Sequence, residues 1–131
     1  IEFGDNDRLS ALVCALVGAD LLILLSDIDG LFTDDPNRNP NAEFIDLVPH
    51  IDDDLRAMGK DSVSSVGTGG MSAKIKAAMI ATDSGADMVI ANAQEVKVLY
   101  HIVDGENVGT KFHGMKNPNF QLANYIMETL G

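Results

Sequence analysis

A continuous apolar run at residues 21–25, followed by Ser26 and Asp27, constrains the fold more than any other feature of this sequence. A strand with one wetted face alternates apolar and polar residues, whereas a strand buried on both faces of a parallel sheet is apolar throughout. The run therefore predicts a strand that is buried on both faces in a parallel sheet. Ligands bind beyond the carboxyl ends of such strands, so Ser26 and Asp27 are predicted to lie at a binding site.

Helices and strands alternate along the rest of the chain. An amphipathic helix is predicted before the first strand, after a capping turn at residues 4–7. Its apolar face would comprise Leu9, Leu12, Val13, Leu16 and Val17. The predicted elements after the first strand include helices at residues 52–58, 71–84 and 95–103 and strands at residues 87–92 and 108–112. This alternation indicates an α/β fold, a three-layer αβα sandwich around a mainly parallel sheet.

A glycine-rich turn at residues 67–70 runs directly into the helix predicted for residues 71–84. Glycine lets the backbone turn sharply and approach a ligand, and the free N–H groups of the following helix then point into the turn. Lys74 and Lys76 lie near the helix start, where the macrodipole disfavours positive charge. A ligand with several negative charges, such as phosphate, would remove that penalty. An ordinary loop with solvated lysines is the alternative.

Charge and composition narrow the class of partners. Twenty acidic against nine basic residues give a net charge of −11, which repels nucleic acid and anionic membranes. The single cysteine, Cys14, lies in an apolar helical pattern and is predicted to be buried, as suits a reducing cytoplasm. The longest uninterrupted apolar run, residues 11–17, is too short to span a bilayer. We therefore expect a cytoplasmic protein that binds neither nucleic acid nor membranes.

The two ends of the chain carry separate expectations. The sequence opens on Ile1 without an initiator methionine, and we expect a fragment whose amino-terminal half is missing. Residues 115–131 are expected to form a helical tail that docks on the rest of the chain. The docking face would comprise Phe120, Ala123 and Met127.

Four motifs, in this order, resemble those of the glutamate 5-kinases, a family within the amino acid kinase superfamily. They are FGDNDR at residues 3–8, LLSDIDGLFTDDP at residues 24–36, GTGGMSAK at residues 67–74 and VGTKF at residues 108–112. The second motif is shared with aspartate, acetylglutamate, carbamate and uridylate kinases, and the third is shared in part with acetylglutamate kinases. The last motif favours the glutamate 5-kinases. The resemblance extends over residues 1–114.

The resemblance implies an enzyme that uses ATP and Mg²⁺ to phosphorylate the γ-carboxylate of L-glutamate, the first step of proline biosynthesis. It implies that residues 1–114 are the carboxy-terminal, ATP-binding lobe of a kinase domain, and that the protein is a homo-oligomer. Mg²⁺ would be held chiefly by phosphates and water, as such ions commonly are, without a metal site built from side chains.

The resemblance also assigns roles to individual residues. Asn6 would bind glutamate, Asp7 would orient the phosphate-binding lysines, and Lys74 would neutralise the phosphoryl group during transfer. The residues implied to bind ATP are Ser26, Asp27, Thr68, Gly69, Gly70, Met71, Ser72, Ala73 and Lys74.

Alternatives remain open for the function and for two of the residues. The chain could be another kinase of the superfamily, acting on acetylglutamate, aspartate or uridylate. It could also be a non-catalytic nucleotide-binding lobe if the amino-terminal half, with its own glycine-rich loop and lysine, is truly absent. Asp7 could serve as a helix cap and Asn6 as a turn residue.

Overall fold

A computed structural model describes residues 3–60, 69–94 and 96–130. Within these residues helices and strands alternate along most of the chain, as the sequence predicts. The elements are α1 (Phe3–Val17), β1 (Leu21–Ser26), β2 (Leu31–Phe32), β3 (Phe44–Ile45), β4 (Leu47–Val48), α2 (Asp53–Lys60), α3 (Gly69–Asp83), β5 (Asp87–Asn92), α4 (Val98–Val103), β6 (Thr110–Phe112) and α5 (Leu122–Leu130).

Four strands form one sheet in the order β1-β5-β6-β4, and β2 pairs with β3 separately. β1 and β5 are parallel, as are β4 and β6, but β6 runs antiparallel to β5. Between β5 and β6, the six residues of α4 rise about 9 Å, whereas β5 extends about 20 Å, so the helix alone does not carry the chain back to the start of β5.

Helices cover both faces of this sheet. Met88 and Ile90 of β5 point into the larger core, which is built with side chains of α1, α2, α3 and α5. Val89 and Ala91 point the other way and pack with Ile102 of α4. The predicted three-layer αβα sandwich is therefore confirmed. Its sheet is mixed, with two parallel pairings out of three.

The start of α1 differs from its prediction. The helix begins at Phe3, so residues 4–7 are helical and do not form a capping turn. The hydroxyl of Ser10 donates to the carbonyl of Asn6 at 2.7 Å, one helical turn back. Asp and Asn favour caps only as a weak local preference, and here the helical backbone extends through them.

The buried face of α1 was also predicted wrongly. Among the predicted residues Leu12 is buried, and the exposed ones are Leu9, Val13, Leu16 and Val17. α1 packs mainly against α3, and Ala11 and Cys14 lie in the core that the two helices share. Small side chains let two helices approach closely and gain dispersion contacts, so the larger side chains stay outside. The alanines that α3 contributes to this core are Ala77, Ala78 and Ala81.

Cys14 is buried as predicted, with 4% of its surface exposed. Burial raises the pKa of its thiol above the ordinary value, because the charged thiolate is poorly solvated there. The residue therefore acts as a small apolar packing group between α1 and α3.

The VGTKF motif has a structural role. Gly109 has a φ of 69°, and a Cβ atom there would lie 1.9 Å from the carbonyl oxygen of Ile90. Thr110 is fully buried; its hydroxyl accepts from the N–H of Leu31 at 2.8 Å and donates to the carbonyl of Ile45. This side chain therefore fastens the pair β2–β3 to the main sheet.

The tail contains α5, which docks through a different face from the one predicted. Leu122 and Tyr125 pack against the larger core, whereas Met127 is 69% exposed. The Tyr125 hydroxyl donates to Oδ2 of Asp83 at 3.0 Å. This polar contact with α3 accompanies the packing of Leu122 and Tyr125 on the core.

The helices in the described part of the chain are short. The longest, α1 and α3, have 15 residues each. Within the ranges that the structure describes, no helix has both the length and the apolar character needed to cross a bilayer.

Candidate active site

The polar ends of β1 and β5 lie side by side at one edge of the sheet. Ser26 and Asn92 are register partners, and the N–H of Ala93 donates to the carbonyl of Ser26 at 2.8 Å. The Ser26 hydroxyl donates to Oδ1 of Asp27 at 3.3 Å and accepts from the N–H of Ile28 at 3.4 Å. Asp27 is exposed beyond the strand. The structure thus brings Ser26 and Asp27 to the carboxyl edge, where ligands of α/β proteins bind.

The start of α3 lies at this same edge. α3 ends at Asp83 and β5 begins at Asp87, so a short connection reverses the chain. The 15 residues of α3 span about 22 Å and the six of β5 about 20 Å, which brings the first turn of α3 level with Asn92. The N–H groups and the macrodipole of that turn favour a negatively charged ligand.

The residues of the predicted ATP-binding stretch have different positions. Thr68 lies outside the described residues, and Gly69 and Gly70 are the first two residues of α3. Ser72 is 7% exposed, and Met71 packs against the larger core. Ala73 is half-buried. This stretch therefore offers a ligand mainly its backbone and the side chain of Lys74.

An ion pair joins α3 to α1 beside this turn. Nζ of Lys74 lies 3.0 Å from Oδ2 of Asp7, and the two side chains are 12% and 18% exposed. The carboxylate of Asp7 thus reaches across to the neighbouring helix. Water screens such a sheltered pair less than an exposed one, so the attraction is stronger. Asp7 therefore holds the ammonium of Lys74 in place in the second turn of α3.

Asn6 precedes Asp7 on α1 and is exposed. Asn6 and Asp7 are consecutive residues of α1. The side chain predicted to bind glutamate and the carboxylate that pairs with Lys74 therefore lie at the same end of the helix. The donors at this edge suit a polyphosphate: the first N–H groups of α3, the ammonium of Lys74 and the hydroxyl of Ser26.

One polar contact at this edge was not predicted. Nδ2 of Asn92 donates to Oδ1 of Asp29 at 3.1 Å, and Oδ1 of Asn92 accepts from the N–H of Gln94 at 2.9 Å. The sequence did contain a signal, because Asn92 ends the second buried strand as Ser26 and Asp27 follow the first.

A cleft of about 250 Å³ opens at the opposite end of the strands, near the start of β5. Thr82, Asp83, His113 and Lys116 are among the residues that line it. β6 is antiparallel to β5, so His113 lies near the start of β5 and far from Asn92. The cleft is therefore not part of the candidate active site.

Comparison with known protein families gives one match to a family model. The model of the "Amino acid kinase family" matches residues 1–92. The match includes β1, the whole of α3 and β5, which together form the edge described above.

The chain is also similar to curated proteins named "Glutamate 5-kinase". It is 52% identical over 118 residues to that of Proteus mirabilis (strain HI4320), which covers 90% of this chain and 32% of the relative. The corresponding protein of Photorhabdus laumondii subsp. laumondii is 49% identical with the same coverage. These matches confirm the resemblance inferred from the four motifs. The chain spans about a third of the length of these curated relatives.

Solved structures give the same fold at lower identity. The chain resembles an isopentenyl phosphate kinase with a TM-score of 0.59 and 23% identity, covering 81% of this chain and 36% of that one. It resembles the UMP kinase from Bacillus anthracis with a TM-score of 0.58 and 21% identity, covering 82% and 40%. At these identities the likeness concerns the fold alone.

Proposed function

Since the chain belongs to the amino acid kinase family, we propose that the protein which carries it transfers the γ-phosphoryl group of ATP to the γ-carboxylate of L-glutamate. The ion pair between Lys74 and Asp7 beside the start of α3 carries the phosphoryl-transfer part of this proposal. The choice of glutamate is supported by 52% identity to a glutamate 5-kinase over 118 residues. Because the chain spans 32% of that relative, the activity is proposed for the whole protein.

On the nucleotide side, the proposal uses the edge formed by β1, β5 and α3. Ser26 ends β1 and Asp27 follows it, and residues 69–74 of α3 supply backbone N–H groups and the side chain of Lys74. A helix start with free N–H groups binds phosphate through hydrogen bonds and the macrodipole together. The negative charge of ATP would add to that of Asp7 in offsetting the unfavourable interaction of Lys74 with the macrodipole.

On the acceptor side, no general base is needed. A γ-carboxylate has a pKa of about 4.3, so at neutral pH one of its oxygens can attack the γ-phosphorus directly. The bond from the γ-phosphorus to the bridging oxygen breaks, ADP leaves with that electron pair, and γ-glutamyl phosphate forms without net proton transfer. Stabilising the charge on the transferring group is the protein's main task.

Lys74 and Asp7 meet that task in the proposal. The ammonium of Lys74 would approach the oxygens of the transferring group, and Asp7 would keep it oriented. A charge that is already fixed needs little reorganisation during the reaction, which is what makes it effective. Asn6, next to Asp7, is proposed to bind glutamate.

The remaining parts of the proposal concern the cofactor and the setting. Mg²⁺ would be held chiefly by the phosphates and water and would neutralise part of their charge. Residues 1–114 would be the ATP-binding lobe, and the protein would be a cytoplasmic homo-oligomer that catalyses the first step of proline biosynthesis. Light scattering of the purified protein measures the oligomeric state directly.

The deciding experiment is ADP release with Mg-ATP and a panel of acceptors: glutamate, aspartate, N-acetylglutamate and uridylate. Glutamate-selective release is the expected result. Selective release with another acceptor would overturn the choice of glutamate and assign a different kinase activity. Nucleotide binding without release for any acceptor would favour a non-catalytic nucleotide-binding lobe.

A further inference from the structure

We propose that Asn92 is a positioning residue for nucleotide binding, which acts by holding Asp29 and with it the loop of residues 26–30. This inference rests on the proposed function, because it takes that loop to contact the nucleotide. It adds a residue that lies outside the four motifs from which the family resemblance was inferred.

The loop of residues 26–30 is fastened at three points. At its start, the N–H of Ala93 donates to the carbonyl of Ser26 at 2.8 Å. In its middle, Nδ2 of Asn92 donates to Oδ1 of Asp29 at 3.1 Å. Just after its end, the hydroxyl of Thr110 accepts from the N–H of Leu31 at 2.8 Å. Asn92 is therefore the side chain that fixes the middle of the loop.

The middle of the loop depends on this contact more than its ends do. Asp27 and Asp29 are exposed, so burial contributes little to their position. Gly30 is buried, and a Cβ atom there would lie 2.5 Å from Oγ1 of Thr110, which leaves the exit of the loop tightly packed. Between the two ends of the loop, hydrogen bonds set the orientation of the Asp27 and Asp29 carboxylates.

Asn92 is well suited to this role because both ends of its amide are engaged. Its nitrogen donates to Asp29, while its oxygen accepts from the N–H of Gln94 at 2.9 Å. The hydrogen bond from Gln94 orients the Asn92 side chain, so the bond from Asn92 to Asp29 has a fixed direction. An amide offers a donor and an acceptor together, which a carboxylate does not.

The test compares two substitutions in the intact protein. Asn92→Leu removes both side-chain hydrogen bonds without adding charge, and Asn92→Asp replaces the donor with a carboxylate facing Asp29. We expect each to raise the KM for ATP about three- to tenfold, the size of one ordinary hydrogen bond. The KM for glutamate and kcat should change less than about twofold, since a loop shift at the nucleotide leaves Lys74 and Asp7 in place.

A swap of the two side chains sharpens the test. Asp29→Asn in the Asn92→Asp background restores an amide–carboxylate pair, with the donor now at position 29 and the acceptor at position 92. The carboxylate at position 92 still accepts from the N–H of Gln94, and the net charge returns to its original value. We expect this double variant to recover most of the ATP affinity. Asn124→Asp is the matched control, because the Asn124 amide also makes a 3.1 Å hydrogen bond, to Gln121 in the tail. It should leave all constants unchanged.

The outcomes separate this inference from the proposed function. If Asn92→Asp weakens ATP binding and Asn92→Leu does not, simple charge repulsion explains the result and the positioning role is wrong. If the unaltered protein binds Mg-ATP but releases no ADP with glutamate, the proposed function fails, and equilibrium binding of Mg-ATP to the same variants still tests Asn92. Equal binding by the unaltered protein and Asn92→Leu would overturn the inference.

Discussion

At its carboxyl end α3 is surrounded by groups that suit a helix terminus, whereas near its amino end it carries charges that a helix start disfavours. The carbonyls of Thr82 and Asp83 accept hydrogen bonds from the segment after β6, and a guanidinium nitrogen of Arg56 lies 3.8 Å from the Asp83 carboxylate. Near the other end stands Lys74, and the first turn contains no acidic residue. Cations are favourable at the carboxyl end and unfavourable at the amino end.

This difference separates structural from functional residues on one helix. The carboxyl end is held by hydrogen bonds to its carbonyls and by the pairing of Arg56 with Asp83, whose own negative charge the macrodipole disfavours, so its side chains are expected to serve stability. The amino end carries Lys74, which pairs with Asp7 and lies beside free N–H groups that favour an anionic ligand, so its side chains are expected to serve activity. Substitutions at the two ends should therefore change different measurements.

The largest expected effect is at the amino end. Lys74→Ala should lower kcat/KM for glutamate phosphorylation by about 10²–10³-fold, because it removes a preorganised positive charge from the transferring group. Steady-state ADP release measures this, and circular dichroism checks that the variant is folded. Lys111→Ala is the matched control, since Lys111 pairs with Asp87 at 3.7 Å and these side chains are 43% and 36% exposed. Equal losses of kcat/KM in the Lys74→Ala and Lys111→Ala variants would contradict a functional role specific to the amino end of α3.

At the carboxyl end the expected effect is on stability. Asp83→Ala removes the acceptor for Tyr125 and the partner of Arg56, and should lower the free energy of unfolding by about 1–3 kcal/mol. Urea denaturation measures this, and the folded variant should keep its kcat. Asp20→Ala, at an exposed aspartate, is the control and should have little effect. A large loss of kcat in the folded Asp83 variant would contradict the comparison.

The smallest expected effect is a pH dependence at the same end. Burial, and then the charge of Asp83, raise the pKa of Tyr125 to about 12 from an ordinary 10.0. The protonated Tyr125 hydroxyl therefore contributes to the free energy of unfolding. This contribution is fully present below pH 10 and is lost as pH rises towards 12, because the unfolded chain releases the tyrosine proton first. Between these pH values the unaltered protein should lose stability more steeply than Tyr125→Phe. Tyr100→Phe, at a tyrosine that is 73% exposed, should behave like the unaltered protein.

The two longer strands and the polar residues at their carboxyl ends could be predicted because they depend on strong local signals. The apolar run indicated β1 and its polar end marked the carboxyl edge at Ser26 and Asp27. Its predicted burial on both faces was wrong, because β1 is an edge strand of the described sheet with Leu21 and Leu25 exposed. The glycines before Lys74 likewise indicated the start of α3. These features depend on the order of residues along the chain, so one sequence is enough to find them.

Contacts between elements were predicted less well. The buried face of α1 was wrong because helical spacing identifies apolar residues but not which side will meet a helix rich in alanine. The docking face of α5 was wrong because it depends on a hydrogen bond between Tyr125 and Asp83, 42 residues apart. The contact between Asn92 and Asp29 joins residues 63 positions apart, and no local pattern specifies it.

The alanine-lined joint between α1 and α3 has a consequence for how this protein can vary. Ala11 and Ala78 are fully buried there, so almost any replacement adds volume between the helices and moves Asp7 away from Lys74. The outer side of α1, where Leu16 and Val17 are exposed, carries no such penalty from this joint. We therefore expect few accepted substitutions on the inner side of α1, where one added methyl group would change the spacing on which the ion pair depends, and many more on its outer side.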